Sequence, residues 1–122
     1  MTEPLSESDS ENFDRFVVEA LESGCVWSLE GPDGWALCGS EQYENTDVMP
    51  FWSQEEFAQV HCKDDWKDYK AVAIELEEFL DDWLTGMHED VVLVGINWNA
   101  DLDGTEIEPI DLLEEFDQEL KD

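Results

Sequence analysis

The side-chain pattern Asn97-x-Asn99-x-Asp101-x-Asp103-Gly104 places alternate oxygens around a glycine bend, the arrangement that hard cations favour. It has the spacing of the first half of a calcium loop and then departs from it. Counted from Asn99, the twelfth position is Ile110 rather than a bidentate glutamate, and the residues before it read as a strand instead of a helix. Aspartate and asparagine also make ordinary turns. Calcium held by Asn99, Asp101 and Asp103 is thus the one cofactor the sequence offers, and a plain acidic loop is the competing reading.

His61-Cys62 with Asp64 and Asp65 is the next cluster with ligand chemistry. Adjacent helical residues point in different directions, so His61 and Cys62 do not share a ligand easily. His88 lies far along the chain, and no paired ligand motif is present. A core-edge histidine and a packed thiol account for the pair. Carboxylates are too numerous for a catalytic pair to be chosen by spacing, since acid–base work requires two groups with different environments in one pocket. There is no nucleophile elbow, phosphate loop or dinucleotide fingerprint. No catalytic residue is assigned.

The six tryptophans are the remaining candidates. A small core does not readily bury so many, and tryptophan is enriched where proteins bind each other. Trp66 lies among Lys63, Lys67 and Lys70 in a polar stretch and is the first choice for an exposed anchor. Trp98, at the exit of an apolar run and beside the acidic loop, is the second. Trp27 or Trp35 is expected to reach a sheet edge, and Trp35 joins Trp66 and Trp98 as a candidate partner-binding residue. Trp52 and Trp83 read as core.

These side chains must be held by a core, and the longest apolar run, Val91 to Trp98, supplies its centre. Short, rich in β-branched residues and flanked by acids, it predicts an interior strand covered on both faces. Around it, Phe13, Phe16, Val17, Ala20 and Leu21 follow helical spacing and end at Gly24, after a capping box at Ser8 and Glu11. Residues 25–30 and 35–38 predict a hairpin closed by Gly31-Pro32-Asp33-Gly34. Pro50 marks residues 47–52 as a short edge or entry strand. Ser53 and Glu56 predict a capped helix reaching to about Asp64, with Phe57, Val60 and His61 facing inward. Residues 70–76 form a strand, residues 77–85 a helix ended by Gly86, and Pro109 opens a last helix carrying Ile110, Leu113, Phe116 and Leu120.

The chain, 122 residues long, is expected to form a single domain, with residues 1–7 a solvated acidic tail and residues 119–122 a fraying end. A domain of this size buries roughly two-thirds of its unfolded surface. The pattern predicts an α+β fold: a mixed sheet of five to six strands with an N-terminal hairpin, and four helices packed mainly on one face. The formal net charge is −29, from 34 acidic and five basic residues. Such a surface repels nucleic acid and anionic membranes and attracts basic proteins or cations. A salt-rich cytoplasm would also explain it. Three cysteines without a C-x-x-C pair, and no apolar leader, predict a cytoplasmic protein with reduced thiols.

Four stretches carry a family likeness: Val-Trp-Ser-Leu-Glu-Gly-Pro-Asp-Gly-Trp-Ala at 26–36, Pro-Phe-Trp-Ser at 50–53, Trp-Leu-Thr-Gly-Met at 83–87 and Val-Gly-Ile-Asn-Trp at 94–98. Together they resemble a small bacterial family known only as domain of unknown function 2750, over about residues 12–118. The resemblance implies a bacterial cytosolic protein and brings no activity with it. The second half is also similar in motif order to the N-terminal domain of SseB-like proteins: Pro50-Phe51-Trp52-Ser53, Ile74-x-Leu76-x-x-Phe79, Val94 to Asn97 and Glu108-Pro109. Here Asn97 is followed by Trp98 where those proteins have proline, so this likeness implies topology alone.

The resulting expectation is a non-enzymatic module that binds a basic protein, in a regulatory or immunity-like role. A small-molecule or cation binder using the loop after Trp98 is the first alternative, and an enzyme with an unrecognised site the second.

Overall fold

A computed structural model describes residues 9–32, 34–39, 46–61, 67–98 and 105–120. The chain runs α1 (Asp9–Ser23), β1 (Cys25–Gly31), β2 (Gly34–Trp35), β3 (Cys38–Gly39), β4 (Asp47–Phe51), α2 (Glu55–Gln59) and β5 (Lys70–Glu75). It continues with α3 (Leu76–Glu78), a π-helical segment (Phe79–Trp83) and α4 (Leu84–Glu89), which follow one another without a break as one helical rod. Then come β6 (Leu93–Ile96), β7 (Thr105–Ile107) and α5 (Pro109–Leu120).

The α+β class is as expected, but the strands form two sheets instead of one. The first has the order β2-β1-β5 and is antiparallel throughout; the second has the order β3-β4-β6-β7, with β4 and β6 parallel. The sheets meet where Trp27 and Trp52 exchange two backbone hydrogen bonds of 2.7 Å each. The predicted second hairpin strand divides at this boundary. Gly34 and Trp35 pair with β1, and Cys38 and Gly39 cross to pair with β4.

Alternation along β4 and β6 explains why both strands are buried on both faces. Phe51, Val94 and Ile96 point into one apolar cluster, with Phe16, Ala20, Phe79, Leu84, Leu112 and Phe116. Val48, Trp52 and Leu93 point into another, with Leu29, Phe57, Ala58 and Trp98. Residues of α1, the rod and α5 line the first cluster, and α2 serves the second. Helices therefore lie mainly on one side, as the sequence predicts.

Pro50 sits in an interior strand, contrary to expectation. Phe51 accepts a bond from Asn97 N–H, so Phe51 faces β6 and Pro50 faces the opposite side, beyond the end of β3. The missing N–H therefore costs no ladder bond, and the Pro50 carbonyl accepts one from the buried Ser28 hydroxyl at 2.8 Å. The central strand is also shorter than predicted. Val91 (φ 58) and Asn97 (φ 43) adopt left-handed backbone at either side of Leu93–Ile96 and mark its limits. Gly86 lies inside α4 and does not end it. The helix ends at Val91 in a Schellman motif, with Val91 N–H on the His88 carbonyl and Val92 N–H on Met87. At the chain's start Gly24 (φ 78) closes α1 as the sequence predicts.

Candidate functional site: an acid-rimmed groove beside a polar joint

The polar residues around Ser53 and Asn97 fall into two groups, one sealed and one open. The sealed group begins with Asn97, fully buried where β6 ends. Its Nδ2 donates to the Asn12 carbonyl of α1 at 3.0 Å and to Ser53 Oγ at 3.1 Å. Its Oδ1 accepts the Ser53 backbone N–H at 2.9 Å. Ser53 Oγ in turn donates to Glu19 Oε1 at 2.6 Å. One amide thus ties α1, the β4–α2 corner and β6 together. A polar group buried this deeply is tolerable because each of its bonding positions is used. The Asn97 oxygen faces inward, and is not part of a solvent-facing oxygen set.

Ser53 does not cap α2. The residue before the helix is Gln54, which makes no side-chain capping bond, and the Ser53 hydroxyl is committed to Glu19. As described, α2 spans Glu55–Gln59, shorter than its capping pattern predicts. Phe57 and His61 face inward as expected, whereas Val60 is 46% exposed.

Trp98 is buried, at 5% exposure, so the sequence-based expectation of an exposed anchor is corrected. The cause lies in Gly95. A Cβ there would stand 2.7 Å from the Trp98 ring, so the missing side chain makes the space into which the indole folds back. Trp98 Nε1 donates to the Thr105 carbonyl at 3.3 Å. Its own carbonyl accepts Trp52 Nε1 at 2.9 Å and stands 3.2 Å from His61 Nε2, whose ring is stacked on Trp52. The Gly-x-x-Trp spacing at Gly95 and Trp98 was the signal available in sequence. Trp35 is half-buried, edge-on to Trp83 with centroids 4.8 Å apart. Trp66, Cys62, Asn99, Asp101 and Asp103 lie outside the described residues. Among the described residues, no three histidine, cysteine or acidic side chains converge as a metal site requires.

The open group surrounds a groove of about 520 Å³ where the end of α1, the start of β1 and the start of α2 diverge. Half-buried Trp27 and Cys25, alternate residues of β1, line it from the strand. Glu19 and Glu22 line it from α1, and Glu55 and Glu56 from α2. Arg15 offsets part of this rim's charge. Its guanidinium pairs with Glu19 at 3.3 Å and lies 5.0 Å from the Phe57 ring centroid. Of the two tryptophans expected at a sheet edge, Trp35 lies on the edge strand β2 and Trp27 on the middle strand β1; the four glutamates around Trp27 were not foreseen, because they come from two helices far apart in the chain.

This is a small α+β protein with an aromatic, carboxylate-rimmed groove at a sheet–helix junction. The chain belongs to the family described as Protein of unknown function (DUF2750), whose model matches residues 13–116. Among curated proteins, none matches the chain at a significant level.

Proposed function

We propose that this protein is a non-catalytic, cytoplasmic module that binds a basic protein partner, in a regulatory or immunity-like role. The observation that carries the reading is the groove itself, with the partly exposed indole of Trp27 among Glu19, Glu22, Glu55 and Glu56. An exposed ion pair contributes only about 0–1 kcal/mol, so carboxylates alone make a weak, salt-sensitive surface. A cation over a tryptophan face adds about 0.5–2 kcal/mol and fixes the position of the contact. The net charge of −29 brings basic partners to the surface, and the aromatic wall gives them one place to stop. No helix among the described residues is long and apolar enough to cross a membrane, in keeping with a module that acts on other proteins in solution.

The test is affinity capture from native lysate, washed first at low salt and then at about 0.15 M, where charges beyond about 8 Å are screened. A basic protein retained at the higher salt by the wild type, and lost from Trp27→Ala and from the double variant Glu55→Gln/Glu56→Gln, supports the reading. Release of everything at about 0.15 M salt overturns it.

A further inference from the structure

Strand β5 has one partner, β1, and its outer edge is open along Lys70–Glu75 among the described residues. The direction of its backbone groups follows from the ladder. Trp27 directs its N–H and carbonyl to Trp52, away from β5, and Leu29 accepts from Ala36 on that same side. In an antiparallel pair, directly opposed residues either bond each other or both face outward. Ala73 opposes Trp27 and Ala71 opposes Leu29. The N–H and carbonyl groups of Ala71 and Ala73 therefore point off the free edge, and neither residue makes a hydrogen bond there. An edge of this kind is a template for another strand unless charge, proline or a cover blocks it. Here Lys70 stands at its head and Glu75, a third outward-facing position, at its end, while the two outward-bonding positions between them, Ala71 and Ala73, carry only methyl groups.

The same face of the sheet leads into the acidic groove. Ala73 is exposed beside Trp27, so a long side chain on an added strand, opposite Ala73, passes over a methyl group to reach the indole and its glutamates. We propose that β5 receives an extended segment of a basic protein as an added antiparallel strand, with an arginine opposite Ala73 reaching into the groove over Trp27. This rests on the basic-partner reading and names its docking mode. A second copy of this chain is the poorer occupant, since it would bring another −29 to the contact. The rest of the first sheet is antiparallel, which fixes the orientation proposed for the added strand.

The probe is an alternating arginine–valine peptide of about nine residues, a common strand length, titrated calorimetrically into the full chain at about 0.15 M salt. In antiparallel addition the residue opposite Ala73 directs its own N–H to β5, and its side chain shares the face of Ala73. N-methylation of the arginines should therefore weaken binding at least about tenfold, whereas N-methylation of the valines should leave it nearly unchanged. Ala73→Pro removes an outward N–H without touching the β1 ladder, and should give a similar loss. Sedimentation of the free protein should show a monomer. Equal binding of both methylated peptides overturns strand addition and leaves the acidic groove as the contact. Loss on valine methylation alone overturns the antiparallel orientation. Absence of binding by every peptide, with a basic protein still captured from lysate, overturns the docking mode and spares the reading beneath it. A dimer that Ala73→Pro dissociates assigns the edge to a second copy and overturns the proposal. Should Ala73→Pro fail to fold, the methylated peptides decide the matter unaided.

Discussion

The two apolar clusters on either side of β4 and β6 are held by different means. The first is sealed by shape. Phe16 meets Phe79 and Phe116 edge-on at 6.4 and 6.1 Å, and Phe51 meets Phe79 at 4.8 Å. The second contains Trp52 and Trp98 and is held by directed bonds around one carbonyl, with buried His61 against it. Among the described residues, no buried side-chain nitrogen or oxygen lacks a partner, so the second cluster combines polarity with burial at no loss of bonds. A shape-sealed core yields gradually as side chains are trimmed, while a bonded one fails when a single partner is removed.

The largest effect that separates the two is expected at Phe16, which is fully buried. Phe16→Ala should cost about 3–5 kcal/mol in urea unfolding, and Phe16→Leu about 1–2, a graded response. At the joint beside the second cluster the response should be abrupt. Asn97→Ala leaves the Ser53 N–H and the Asn12 carbonyl without the amide and keeps a side chain in left-handed backbone, so about 2–4 kcal/mol is expected. Asn97→Asp, nearly the same size, should lose almost as much, because an oxygen then faces the Asn12 carbonyl. If Asn97→Asp unfolds with the wild type, the joint is not held by directed bonds.

Gly95→Ala tests the second cluster by shape. The new methyl would meet the Trp98 ring, and a loss of about 1–3 kcal/mol is expected, with red-shifted tryptophan emission as the ring moves outward. The smallest effect lies outside both clusters. Val91 is 74% exposed in left-handed backbone, so Val91→Gly should stabilise by about 1 kcal/mol and leave the spectra unchanged. A destabilised Val91→Gly would mean that the exposed valine makes a contact of its own.

Local patterns were legible wherever a local cause sufficed. The 3.6-residue spacing of α1 with Gly24, the pairing of Gly31 with Gly34, the two-sided burial of Leu93–Ile96 within the predicted central run and the proline opening α5 all appear in the structure. The division into two sheets was not legible, because it depends on Trp27 and Trp52 finding each other across residues with no local signature. Ser53 shows the same limit. Its spacing to Glu56 is that of a capping box, yet a glutamate and an asparagine from distant segments take its hydroxyl and its N–H. Trp98 was misjudged for exposure because its neighbours in sequence are acidic, whereas its position is decided by the empty space at Gly95.

The Asn97 joint also has a consequence for the order in which the chain is made. Its bonds span 44 residues to Ser53 and 85 to Asn12. The entropy of closing such loops grows only slowly with length, but contacts this distant in sequence slow the search for the native state. During synthesis the first helix and the β4–α2 corner leave the ribosome long before the amide that joins them. Until then Asn12 and Ser53 depend on water for those bonds, and the early chain is a set of elements without a latch. A fragment ending before Asn97 should show helix and hairpin signals but no cooperative unfolding.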